Sequence, residues 1–285
     1  MTSLVASTSL TRRKTMNTLM FSITCVCMVT TLAMLIVILG YLAWQGGSAI
    51  DWDFLTKLPK PVGEVGGGVA NAIVGSGKLL LMAGCVGVPI GMMAGIYLSE
   101  FGDNIIGVLI RYFSDVLNGV PSVVVGIFAY AVIVKPMGHF SALAGGFALG
   151  IMMIPIAVRT TEEFMRLVPQ SLREAAYALG IPRWKTILFV VIPTAGRAII
   201  TGILLDFARV AGETAPLLFT AFGNRFWSQG ILEPTGSLPV IIYTYAISPY
   251  DDWHRQAMAA GLLLLLFVLG AGILARVILR KPVHV

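Results

Sequence analysis

The sequence predicts an all-α integral membrane protein with six transmembrane helices, and three observations carry this. Hydrophobic residues make up 57% of 285 and charged residues only 12%, with a mean hydropathy of +0.86. A soluble domain gives about a quarter of its residues to Asp, Glu, Lys and Arg, so the apolar excess needs hydrocarbon to face. Six stretches meet the requirement of roughly 20 mostly apolar residues per span. Finally, Lys and Arg fall unevenly on the two sides that those spans separate.

The first span, 17–44, follows Arg12-Arg13-Lys14 and an N-terminal segment, 1–16. It is too long for the apolar region of a cleaved signal and reads as a retained helix. A loop, 45–68, leads to the second span, 69–98, which opens a transmembrane domain covering 69–281. Gly87, Gly91 and Gly95 recur every four residues there and fall near one helix face, where a second backbone can approach closely. Residues 102–118 read as a short amphipathic helix on the inner surface. Spans 116–134 and 141–158 come next, joined by a short loop. The longest inner connection, 160–185, reads as two short helices broken at Gly180-Ile181-Pro182. A fifth span, 193–222, is followed by an outer segment whose Trp227 and Trp253 are expected at the headgroup level. The sixth span is 257–279.

An even number of spans puts both termini on one side. With that side cytoplasmic, twelve Lys and Arg, from Arg12 to Lys281, lie inside and five (Lys57, Lys60, Lys135, Arg225, Arg255) outside. This satisfies the positive-inside rule. The net charge of +6 is thereby explained as membrane orientation, and the basic residues do not interleave with aromatics as a nucleic-acid surface would. Cys25, Cys27 and Cys85 lie in apolar stretches without zinc or disulfide spacing, and His139, His254 and His284 are scattered. No metal site is expected.

Gly75-Ser76-Gly77-Lys78 looks like the end of a phosphate-binding loop, but that pattern needs Gly where Ala72 stands and Ser or Thr where Leu79 stands. No strand precedes it. The chain therefore shows no means of hydrolysing ATP and is expected to bind no cofactor itself. Lys78 is out of place in a span; snorkelling, pairing with a carboxylate and lining a passage all remain open to it.

Two constellations carry function. In the fifth span, 100° per residue places Asp206, Arg209 and Glu213 within a stripe of about 60°. Ionisable groups at mid-membrane mark a pathway or a pair. One reading is a self-neutralising stripe that only joins helices. The other is a polar wall in which Arg209 offers two parallel donors to an oxyanion and Glu213 holds its guanidinium. Arg197 faces the opposite way. In the inner loop, Glu174-Ala175-Ala176, then Gly180, then Ile192-Pro193, match the signature of ABC-importer permeases. Small alanines can seat a short helix in a partner's groove, Glu174 can cap or pair within it, and Gly180 permits the turn that follows.

The resemblance sharpens in Ala208-Arg209-Val210-Ala211-Gly212-Glu213-Thr214-Ala215-Pro216. This run is similar to the signature of the A-type permease family of phosphate-specific ABC importers (PstA family). Ile96-Tyr97-Leu98-Ser99-Glu100, Gly119-Val120-Pro121-Ser122, and Arg159-Thr160-Thr161-Glu162-Glu163 also fit, and the likeness runs from about Gly66 to Arg280. It implies the type I importer (MetI-like) permease core in the inner (cytoplasmic) membrane. It also implies import of inorganic phosphate, with sulfate or molybdate import, or an ATP-independent anion carrier, as alternatives. The partners implied are a related but distinct permease, two ATPase subunits that consume the ATP, and an extracytoplasmic phosphate-binding protein. Arg159, at the inner mouth, joins the pathway candidates through its family motif.

Overall fold

A computed structural model describes residues 2–61 and 64–280; Lys281 and His284, counted above, lie outside the described residues. In chain order the helices are α1 (Thr2–Gly46), α2 (Trp52–Thr56), α3 (Ala70–Phe101), α4 (Ile105–Gly119), α5 (Ser122–Met137) and α6 (Ala142–Arg166). They continue as α7 (Gln170–Ala178), α8 (Arg183–Val210), α9 (Ala215–Thr220), α10 (Leu238–Ala246) and α11 (Asp251–Arg280). Five of these are long and apolar enough to cross a membrane, and a sixth span results when the bent pair α4–α5 is taken together.

The centre of the bundle is α3 laid along α6. A Cβ added at Gly87 would lie 2.7 Å from Met153 Cβ, one at Gly91 3.0 Å from the Ile154 carbonyl, and one at Gly95 2.6 Å from Thr161 Cβ. The contacts climb both helices together, so α3 and α6 run parallel, as two spans entering from the same side must. The four-residue glycine spacing makes this close approach, and α6 answers with Gly146, where a Cβ would sit 2.6 Å from Met82 Cβ. Leu79, Leu80, Ala83, Leu149, Met153, Val210 and Leu217 fill the core around that seam. By contrast, the span window of α1 is unburied, and Gly46 meets α11 at Met258 and Ala259.

Several boundaries differ from the sequence expectation. The fourth span continues to Arg166, so residues 160–166 belong to α6 and the inner loop starts after them, and the sixth begins at Asp251. The third span does not begin at 116. Residues 116–119 finish α4, and α5 starts at Ser122 after a bend of 101°. Pro121 causes this: its ring disfavours helical geometry at Val120, which is extended with ψ 128. The fifth span begins at Arg183, so the second short helix of the inner loop is its first turn. That span also ends at Val210, well before 222. Finally, Trp253 is buried and stacks on Tyr245 with centroids 4.4 Å apart, so its ring serves packing rather than the headgroup layer.

Two five-residue π segments, Tyr130–Val134 and Ile187–Val191, each end two residues before a proline, Pro136 and Pro193. A proline has no N–H for the carbonyl four residues back, and the preceding turn widens to i→i+5 bonding instead. In α8 the Ile192 N–H accordingly reaches the Ile187 carbonyl.

Candidate functional site

The end of α8 lies deep in the bundle. Phe207 faces Gly84, near the midpoint of α3; a Cβ there would collide with the ring. Three residues later the helix stops. Gly212 N–H bonds Arg209 O at 3.2 Å and Glu213 N–H bonds Val210 O at 3.1 Å, which tightens the last turn. Gly212 is a poor helix former, and Pro216 cannot donate to the Gly212 carbonyl. The chain restarts as α9 and runs to the N-terminal end of α6, where Ser141 N–H bonds Thr220 O at 3.0 Å. Irregular backbone at membrane depth is tolerated only inside protein or along a wet cavity.

This break divides the predicted stripe. Asp206 and Arg209 share the last turns of α8, but Glu213 belongs to the turn after it, so the helical-wheel relation among the three does not hold. Arg209 is exposed and Glu213 half-buried. Neither is in a salt bridge among the described residues. Asp206 is 2% exposed, with no hydrogen bond to either carboxylate oxygen. Arg159 stands apart toward the C-terminal end of α6, 3.6 Å from Asp115 and 3.3 Å from Glu163. Thr160 beside it touches the Gly202 position of α8. Seven residues separate Gly202 from Arg209, about 10 Å of helix, so the structure does not bring Arg159 and Arg209 together.

The inner loop is built around a helix end. Gly180 adopts φ +75; its N–H bonds Tyr177 O at 2.9 Å while Ile181 N–H bonds Ala176 O at 3.1 Å. This left-handed cap satisfies the last carbonyls of α7 and favours glycine. Glu174 and Ala175 are exposed and Ala176 is buried. Glu174 has no ion pair or hydrogen bond among the described residues, so it neither caps nor pairs in α7. Leu172, Ala175 and Leu179 share the outward stripe of α7, with Trp184 nearby in sequence; Leu179 is 80% exposed.

Sequence reasoning missed the charges that hold this loop. Arg173 pairs with the nearly inaccessible Glu100 at the end of α3 and donates to Met165 O at 3.0 Å. Glu162, 5% exposed, accepts from Arg111 at 2.8 Å and forms an ion pair with Arg166 at 2.9 Å. The signal was available: Glu100 and Glu162 are carboxylates ending apolar runs, and such groups require cationic partners when buried. Lys78 is resolved as well. Its ammonium donates to Ser228 Oγ at 3.2 Å and to Gly230 O, while Ser76 Oγ accepts from Leu238 N at 2.8 Å. The loop-like Gly75–Lys78 motif is thus continuous helix that fastens the outer segment.

Compared with known proteins, residues 87–282 match the family described as binding-protein-dependent transport system inner membrane component. The chain belongs to this family. Among transport-system components of this kind, it is 45% identical to the phosphate transport system permease protein PstA of Yersinia pestis over 91% of this chain and 90% of that one. It is 44% identical to the protein of the same name from Xylella fastidiosa strain Temecula1, over 95% and 94%. In solved structures, the inward-facing MetNI methionine ABC transporter superposes with TM-score 0.58 at 18% identity, covering 74% of this chain and 98% of that one. An amino acid ABC transporter gives 0.54 at 17%, over 75% and 93%. The fold is therefore the MetI-like importer permease core, in a multi-pass membrane component.

Proposed function

We propose that this chain is the permease subunit through which an ATP-driven importer passes inorganic phosphate into the cytoplasm. The observation that carries the mechanism is the interruption of α8 at mid-height, where Arg209 is exposed and in no salt bridge. Phosphate stripped of water needs replacement donors, and a guanidinium offers a planar pair to an oxyanion. The broken backbone lets donors face a passage without disrupting the helix on either side. Glu213 supplies negative charge close by in sequence, which limits how tightly an anion is held, while Asp206 is buried beside it without a hydrogen bond to its carboxylate. Arg159 serves the inner mouth.

Transmission runs through α7. Its exposed Glu174–Ala175 side and apolar stripe seat on an ATPase subunit, and Ala176 and Gly180 set the helix and its exit angle. Closure of two ATPases draws on α7, and the Arg173–Glu100 tie passes the pull to α3. The ATP belongs to those subunits, and this chain binds no cofactor. A related, distinct permease completes the passage, an extracytoplasmic phosphate-binding protein delivers the ion, and both termini lie in the cytoplasm of a cell whose inner membrane holds the complex.

The test is uptake by proteoliposomes carrying the full complex, with ATP inside or outside. Phosphate accumulation that requires ATP on the ATPase side supports the reading. Preference for sulfate or molybdate, or equal uptake without ATP, overturns it.

A further inference from the structure

Beneath the inner loop lies a cleft of about 610 Å³ between the ends of α3 and α6 and the first turns of α7 and α8. Three arginines line it: Arg166, Arg173 and Arg183. One carboxylate in it, Glu100, opposes them, and its side chain is only 3% exposed beneath Arg173. Arg183 donates to the Glu100 carbonyl and lies 4.2 Å over the Phe101 ring, leaving much of its guanidinium edge free. Arg166 spends one nitrogen on Glu162, which Arg111 also serves, and half of its side chain is open to solvent. The cleft is therefore net cationic after its internal pairs are counted.

Neutral donors converge on the same space. Ser99 borders the cleft, with its Oγ closed to solvent. Tyr177 and Gln170 line the cleft too, and neither side chain has a hydrogen-bond partner among the described residues. Planar carboxylates present two oxygens in one plane. The three arginines come from α6, α7 and α8 and from several directions, which suits a tetrahedral group with three or four oxygens.

We propose that this cleft binds a phosphate group and, when filled, braces α7 against α3 and α6. The ligand chemistry has two sources: free inorganic phosphate, or the headgroup of a lipid reaching the inner ends of α3 and α6. Placing the site on the cytoplasmic side rests on the orientation proposed above; the binding itself does not depend on which ion the passage carries.

The experiment is amide hydrogen exchange on the whole transporter in maltoside micelles, which contain no phosphate, followed over 168–183. Inorganic phosphate is titrated in one arm, and phosphatidylglycerol is doped into the micelles in the other. Chloride at matched ionic strength is the control. Phosphate at ten times its half-saturating concentration slows exchange there about tenfold if only the braced state binds it. Arg166→Gln abolishes that slowing, and Tyr177→Phe, which removes one oxygen without touching an ion pair, weakens it. Slowing by free phosphate assigns the first source, and slowing by the lipid alone assigns the second. Slowing by neither, or equally by chloride, overturns the site and leaves its arginines as structural ties to Glu100 and Glu162. Because exchange is read without transport, a failed uptake assay and a vacant cleft are separate results.

Discussion

Arg173 of α7 reaches across to Glu100, the penultimate residue of α3, and the pair is almost closed to solvent, with side-chain exposures of 11% and 3%. The segment expected to meet a partner is thus fixed to the helix that carries the glycine seam. Removing one member of a buried ion pair costs about 3–5 kcal/mol, because the other charge is left unpaired. Glu100→Ala and Arg173→Ala are each expected to lower the thermal stability of the purified complex and its uptake. Glu100→Ala combined with Arg173→Ala should be less damaging than the sum of the single changes. An additive double mutant would show that the two side chains do not act as a pair.

At the seam itself, Gly91→Val is expected to disrupt α3–α6 packing, since even a Cβ there collides with Ala157. Overpacking costs about 1–3 kcal/mol, so membrane abundance should fall. Gly40→Ala, where an added Cβ meets nothing within 4 Å, is the matched control and should leave abundance unchanged. Quantitative immunoblotting of membranes separates the two.

Arg209→Ala is expected to reduce phosphate uptake roughly tenfold or more, the loss of one or two charge-assisted hydrogen bonds. Arg209→Lys should recover little of it, because an ammonium cannot reproduce the planar fork. Since Arg209 is exposed and in no salt bridge, abundance should not change in either variant. Normal uptake by Arg209→Ala at normal abundance would move the passage to another face.

Gly180→Ala is expected to cost about 1 kcal/mol through its left-handed backbone, and Gly180→Trp adds bulk to the same turn. Together with Glu174→Lys, these changes should leave the chain in the membrane while uptake falls and ATP hydrolysis by the complex no longer tracks phosphate supply. Unchanged coupling in all three would exclude 160–185 as the coupling element.

Orientation is checked by thiol labelling in a background lacking Cys25, Cys27 and Cys85. Lys60→Cys is expected to react from outside the cell, and Lys14→Cys and Gln170→Cys only after permeabilisation. Reaction of Gln170→Cys from outside would reverse the topology and remove α7 from any cytoplasmic partner.

Much of this architecture can be read along the chain because its information is local. Gly87, Gly91 and Gly95 declare a close-packed face by spacing alone, and Gly180 declares a helix end. The break after Val210 was hidden because a helical wheel assumes continuity, whereas Pro216 acts on a carbonyl four residues upstream. The same assumption carried the third span through Val120-Pro121, where the chain turns. Glu100 with Arg173, and Lys78 with Ser228, join positions 73 and 150 residues apart. No periodicity encodes such meetings; they exist only once the helices are assembled.

The π segment at Ile187–Val191 has a mechanical consequence. A π turn holds about one residue more than an α turn, so everything before it is rotated by about 100° relative to everything after. The azimuth at which Arg183 and Trp184 leave the bundle is therefore written in a residue count, and no side-chain contact need enforce it. Such a joint behaves like a shim under a lever: were the extra residue passed along the helix, the lever would swing through a quarter turn while its fulcrum, Pro193, stayed in place.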